Sequence, residues 1–253
     1  MNGWIGDGWR TEVRYCATVG SRRAVSSTPL GMRTPSTCCF TSWLWAPTSM
    51  RCRRIPGRPG DGLGVEYGGM RFVGVAAPLF IHQYSHAWFD FRGMHDEFLD
   101  YFENSVTATR VHRQFCIDLR PEFPHLEKNL WGITASDSIQ GYVAWGGPPR
   151  HGPLDGTLVP CAAAGSLPFL PSECLRCLRT IRERFGDRVW RRYGFLDAFN
   201  PAINWYGPDV IGIDVGITLL MAENSRTGFV WQTFMANPEA RRGMQLAGFR
   251  NNK

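Results

Sequence analysis

This sequence predicts an all-α fold, and three observations carry the prediction. Prolines suited to a first helical turn and glycines suited to a stop recur at helical distances, as with Pro171 before Gly186 and Pro238 before Gly248. Phe98, Phe102 and Val106 repeat at i, i+4 and i+8, the spacing of one helix face. After Gly68-Gly69 no stretch alternates apolar and polar residues long enough to make a strand.

The elements follow in chain order. Pro78 to Phe91 is aromatic and apolar enough for a buried helix with Pro78 in its first turn. Asp96 to Leu119 reads as a long amphipathic helix ended by Pro121–Pro124. Residues 131–157 read as loops, because glycines and prolines crowd between Gly141 and Gly156. Cys161–Leu167 is a short small-residue helix and Pro171–Phe185 a longer one with Gly186 as its stop. Asp214–Asn224, Gly228–Met235 and Pro238–Ala247 complete the helical set.

Composition narrows the function classes. Hydrophobic residues make up 43% of the 253, enough for a sizeable core, and no apolar run reaches membrane-span length. The formal charge of +6 is unevenly spread: residues 1–60 hold nine arginines against Asp7 and Glu12, while residues 61–253 hold 19 basic and 20 acidic side chains. A nearly neutral body argues against a nucleic-acid partner. Met1–Val19 lacks the apolar stretch of a secretory signal, and the sequence leaves localisation and oligomeric state open.

The first 62 residues differ in kind from the rest. They show neither helical nor strand period, yet they contain four tryptophans and four cysteines, unlike a basic disordered tail. Codon choices compatible with Gly31–Gly60 spell, one frame over, an amphipathic helix followed by a loop. The expectation is an irregular basic segment at 1–62, read out of frame, ahead of a folded region over 67–249.

Several constellations could carry chemistry. His82, His86 and Asp90 would share one face of a continuous helix, either holding a metal or hydrogen-bonding neighbouring helices. Cys174 and Cys177 form a lone CxxC, better read as small buried thiols than as half a zinc site. Asp90-Phe-Arg92-Gly93 is either an ion pair at a helix stop or polar groups at a cleft mouth. Trp131 to Asp137, Gly141 to Pro149, Tyr193 to Pro201 and Trp205 to Asp209 set aromatic rings beside Asp and Asn on breaker-rich loops. Flat rings stack on sugar C–H faces while carboxylates and amides bind hydroxyls; a packed Ω-loop is the alternative. Glycoside hydrolysis needs two carboxyl groups across the scissile bond, and Asp90, Asp137, Asp197, Asp209, Asp214 and Glu223 are available.

The strings PLFIHQYSHAWFDFRG, WGITASD, PPRHGPLDGTLVPCAAAGSLPF, RFGDRVWRRYGFLDAFNP, PDVIGIDVGITLLMAENSRTGFVWQTFM and NPEARRGMQLAGF resemble the glycoamylase-like domain family. That bacterial family includes endo-β-1,2-glucanases and a domain of cyclic β-1,2-glucan synthases. The resemblance runs from about Tyr67 to Phe249 and implies the later part of an (α/α)6 toroid built of helix hairpins, with a sugar cleft formed by its loops. It implies a β-glucan oligo- or polysaccharide partner, no cofactor and no metal, and cleft residues Asp90, Arg92, Trp131, Asp137, Trp145, Asp209 and Asp214. The family's catalytic candidates lie in an amino-terminal half with no counterpart in residues 61–253, so the catalytic residues stay unassigned. The expected chain is a truncated or frameshifted, inactive hydrolase fragment. A non-catalytic sugar-binding half-toroid, possibly completed by another chain, and an active β-1,2-glucanase-like enzyme are the alternatives.

Overall fold

The computed structural model describes residues 64–251. The expectations for residues 1–62, including their out-of-frame reading, lie outside the described residues.

Helices dominate the described region, as the sequence predicts, but all-α needs correcting. Five short antiparallel ladders occupy turns and connections. They pair β1 (Gly64–Tyr67) with β2 (Met70–Val73), and β3 (Met94–His95) with β10 (Arg250–Asn251). The other three pair β4 (Ser136–Ser138) with β5 (Gly141–Val143), β6 (Trp190–Arg191) with β7 (Gly194–Phe195), and β8 (Phe199–Asn200) with β9 (Trp205–Tyr206). Most of these strands are two or three residues long, too short to print a period of two on the sequence.

The helix expected over Pro78–Phe91 is broken. A 3-10 turn, Leu79–His82, precedes α1 (Tyr84–Trp88), and the chain is extended at Phe89. Two causes are visible. Gln83, at the break, is buried and its amide donates to Ala162 O at 2.8 Å and Ser166 Oγ at 2.7 Å. Phe89 and Phe91 are buried while Asp90 is half-buried, an alternation that suits extended backbone. Asp90 therefore does not share a helix face with His82 and His86.

The next helix, α2 (Tyr101–Asp118), starts five residues later than expected. Asp96 Oδ1 accepts from the backbone N–H groups of Phe98 and Leu99, a local turn that competes with helix. Asp100 then caps α2 by accepting from Glu103 N at 3.0 Å. Phe98, expected on the buried face, is outside the helix and exposed.

The remaining helices fall close to expectation: α3 (Pro160–Ala164), α4 (Pro171–Phe185), α5 (Gly212–Arg226), α6 (Phe229–Met235) and α7 (Pro238–Leu246). Every residue of α3 is buried, and it packs against both α4 and α5. Its alanines allow that approach, as does Gly132, where a Cβ would stand 3.0 Å from Val159 O. Trp131, Cys174, Cys177, Ile181, Phe199 and Met221 fill the core around α3, and the Cys177 thiol donates to Trp131 O at 3.1 Å. A second set of contacts ties α1 to α5 and α6: Asn224 Nδ2 donates to Ala87 O, and Trp231 Nε1 donates to His86 O at 2.6 Å. Among the described residues no helix is long and apolar enough to cross a membrane.

Candidate functional site

Three loop systems converge through backbone and carboxylate contacts. The β4–β5 hairpin carries Asp137; the segment between β7 and β8 carries Asp197; Asp214 sits in the first turn of α5, just after the loop bearing Asp209. Asp197 N donates to Asp209 O at 3.1 Å, and Asp137 N donates to Asp197 Oδ2 at 2.7 Å. Gly207 N donates to Ala198 O, and a Cβ on Gly207 would meet that same oxygen at 2.9 Å. Glycine is what lets the β9 loop close on the Asp197 segment.

Asp197 and Asp214 form the chemical centre of this arrangement. Asp197 is 2% exposed, and its side chain hydrogen-bonds that of Asp214. Asp214 Oδ1 accepts from the Cys161 thiol at 3.3 Å, while Asp214 Oδ2 is shielded from solvent with no N–H or hydroxyl donor. Two carboxyl oxygens face to face require one proton between them. Burial first, then the bond to Asp214, pushes Asp197 up to about 8, so the pair holds one proton near neutral pH. Burial also raises Asp214, but the bonds from Asp197 and Cys161 oppose that rise and favour its carboxylate. The partial positive charge at the start of α5 acts in the same direction. Burial and the charge of Asp209 raise Asp137, which is half-buried.

Asp137, Asp209 and Asp214 are each tied to Asp197 through backbone or carboxylate contacts. Trp131 and Trp145 are corrections to the sequence reading. Trp131 is fully buried in the core and Trp145 is 5% exposed, its Nε1 donating to Ser136 Oγ at 2.8 Å. Neither indole has a free face for a sugar; Trp145 bonds back to the loop that carries Asp137, and Trp131 is part of the core around α3. On the β4–β5 and β6–β7 hairpins the exposed rings are Tyr142, Trp190 and Tyr193. Asp90 and Arg92 engage each other: Arg92 Nε and Nη2 each donate to Asp90 at 2.8 Å, and the guanidinium lies 4.2 Å from the Trp231 ring centre. That is the ion-pair alternative of the sequence reading.

Asp197 was available to sequence reasoning as one carboxylate among six, but nothing singled it out. Its position within Leu196-Asp-Ala-Phe199, the only acid in an otherwise buried apolar run, is the signal that could have done so.

A different set of buried ionisable groups lies around α1. His86 Nε2 bonds Ser105 Oγ at 3.0 Å, His82 Nε2 bonds Val75 O at 3.2 Å, and His112 lies beside Phe72. Burial, with the neighbouring His82 ring, lowers His86 and His112 to about 3; burial lowers His82 as well. His86 bonds across to α2, the hydrogen-bonding role the sequence offered as the alternative to a metal.

Residues 64–238 match the model of the glycoamylase family, described as "Putative glucoamylase". A crystal structure from Bacteroides uniformis, described in the same words, is 37% identical, with a TM-score of 0.69 over 74% of this chain and 46% of that one. An endo-β-1,2-glucanase from Chitinophaga pinensis, in complex with sophorotriose and glucose, is 29% identical, with a TM-score of 0.70 over 74% of this chain and 46% of that one. The exo β-1,2-glucooligosaccharide sophorohydrolase (non-reducing end) of Parabacteroides distasonis is 33% identical over 181 residues, 71% of this chain and 25% of that protein. The chain therefore spans about a quarter of that curated relative and under half of each solved structure.

Proposed function

The chain belongs to the glycoamylase family, and from that premise we propose that it holds β-1,2-linked gluco-oligosaccharide on the loops bearing Asp137, Asp209 and Asp214, binding without cleavage. In this reading its helices are the later part of an (α/α)6 ring built from helix hairpins such as α5–α6. The observation that carries the proposal is the Asp197–Asp214 pair, a proton donor and an acceptor set beneath three solvent-facing loops. Carboxylate oxygens of this kind accept from sugar hydroxyls, and the exposed ring of Tyr142, paired across the ladder from Asp137, is placed to stack on a pyranose face.

The geometry of that pair supports the reading of binding without turnover. Carboxyl groups that straddle a glycosidic bond stand roughly 5–9.5 Å apart, whereas two that share a hydrogen bond touch. Asp197 and Asp214 consequently act as one unit and leave the far side of the bond unserved. A second reading, an active hydrolase, is favoured by Asp137 and Asp209: these two loop carboxylates sense each other's charge without hydrogen-bonding.

Calorimetric titration with sophorotriose, followed by product analysis after incubation with β-1,2-glucan, separates the readings. Binding that Asp214→Asn weakens, with no products, is the expected result. Products that Asp214→Asn abolishes would favour the hydrolase, and neither binding nor products would sink both.

A further inference from the structure

Charge is distributed unevenly within the folded region as well. Between Arg176 and Arg192 there are seven arginines against Glu183 and Asp187, a net of +5, while the rest of residues 61–253 sums to −6. All seven arginines are exposed. They fall on two adjoining elements. Cys174, Cys177 and Ile181 face the core from α4, so Arg176, Arg179 and Arg182 stand on the opposite face. The β6–β7 hairpin adds Arg191 and Arg192 at its turn, and Arg182 lies over the ring of Trp190 at 5.9 Å, which joins the hairpin to the helix.

Ion pairing within the protein takes up only part of this charge. Arg176 pairs with Glu173, Arg182 with Asp187 and Arg184 with Glu127. Arg179, Arg188, Arg191 and Arg192 make no ion pair with any described residue. Interleaved with them are large exposed apolar groups: Tyr193 at 66%, Ile203 at 54%, Leu175 at 45% and Trp190 at 44%. Arg188 donates to Asn204 Oδ1 and lies over Tyr206, which brings Ile203 alongside the same strip.

A neutral glucan has no need of four unpaired guanidinium groups, so this strip is not explained by the sugar site. Tryptophan and tyrosine beside aliphatic tips suit the boundary between headgroups and acyl chains, and arginine clusters suit negatively charged headgroups. We propose that the outer face of α4 together with the β6–β7 hairpin is a docking surface for an anionic lipid bilayer. Within residues 61–253, the net negative charge outside the strip would turn this region with the strip toward the bilayer.

Vesicle co-sedimentation of the full chain tests the idea, with phosphatidylcholine alone and with one-quarter phosphatidylglycerol as the probes. Binding to the anionic vesicles only, weakened by salt and lowered about tenfold by the double change Arg191→Glu and Arg192→Glu, is expected. Tyr193→Ala should weaken binding further at high salt, where the apolar contribution remains. Equal binding to both vesicles would overturn the proposal. So would unchanged binding by the double variant, which would assign attachment to the nine arginines of residues 1–60 instead. Stronger retention on a single-stranded oligonucleotide than on vesicles, sensitive to the same double change, would also overturn it. Circular dichroism of each variant establishes that a loss of binding is not a loss of fold.

Discussion

Two regions of this protein bury ionisable side chains, and they resolve the problem in opposite ways. Around α1 and α2, His82, His86 and His112 are buried as neutral rings, each lowered well below its ordinary value by desolvation. Under the loops, Asp197 and Asp214 are buried as a pair that keeps one proton and one negative charge. The histidines have been made inert, and they serve packing: His86 meets Ser105, Phe91 and Phe169. The carboxylates have been kept chemically live, at a cost in stability that the surrounding backbone donors only partly offset. The proposed sugar site rests on that retained buried charge beside solvent-facing loops.

The difference can be broken first by removing what supports one side. Trp131 is fully buried in the core beside Cys177, upstream of the loop that carries Asp137. Trp131→Ala should cost about 3–5 kcal/mol in a urea unfolding curve. A loss below 1 kcal/mol would mean that the loop does not depend on that packing. Gly147→Ala strikes the other region: its Cβ would stand 2.6 Å from Ala76 O and 3.0 Å from His112 Cε1. With backbone on one side and a buried ring on the other, we expect about 1–3 kcal/mol of destabilisation, with the Asp197–Asp214 pair unaffected.

The contrast is sharper in pH dependence. A group whose value is raised on folding favours the native state at low pH, and its contribution is lost as pH rises to the raised value. For Asp197 that window runs from about 4 to about 8. The histidines are lowered on folding, so their penalty grows as pH falls from about 6.5 toward 3. Three histidines outweigh one shared carboxyl below about pH 6.5, and above it only the carboxyl acts. Stability should therefore peak near pH ~6.5 in denaturation measured across pH. Asp197→Asn should flatten the fall above that peak and steepen the rise below it, where the carboxyl opposes the histidines; His86→Gln should make that rise shallower by about a half, since it removes one of three titrating rings set against one opposing carboxyl. A His86→Gln variant that altered the fall near pH ~8 would show that the two regions are not independent.

The smallest effect is expected on the surface. Arg184 and Glu127 pair at 2.5 Å, but the arginine is half exposed, and Glu127→Gln should change stability by about 0–1 kcal/mol in thermal unfolding. A larger loss would mean that the shielding of Glu127 outweighs solvent screening.

How far the sequence disclosed all this depended on whether a signal was local. Pro171 and Gly186 delimit α4 because a missing N–H and a positive φ act at one residue each, and Gly186 has a φ of +56°. The break at Gln83 was hidden, because its cause is a partner 79 residues away on α3. The hairpins were missed because ladders of two or three residues leave no periodic trace. At the site, the loop aspartates were legible as residue types in breaker-rich segments. The burial of Trp131 and Trp145, and the contact of Asp197 with Asp214, depended on tertiary packing. An aromatic beside glycine reads as an exposed platform until the core beneath it is known.

A shared proton at Asp197 and Asp214, lying beneath a bound sugar, is the central feature of the proposed site. Carboxyl carbon NMR of the protein labelled at aspartate, followed from pH 3 to pH 9 with and without sophorotriose, addresses both at once. Two resonances titrating in concert, one of them with a midpoint near 8 and both displaced by the sugar, are the predicted result. If every aspartate titrates near 4 and none responds to the sugar, the pair is neither coupled nor part of a binding site, and the account fails.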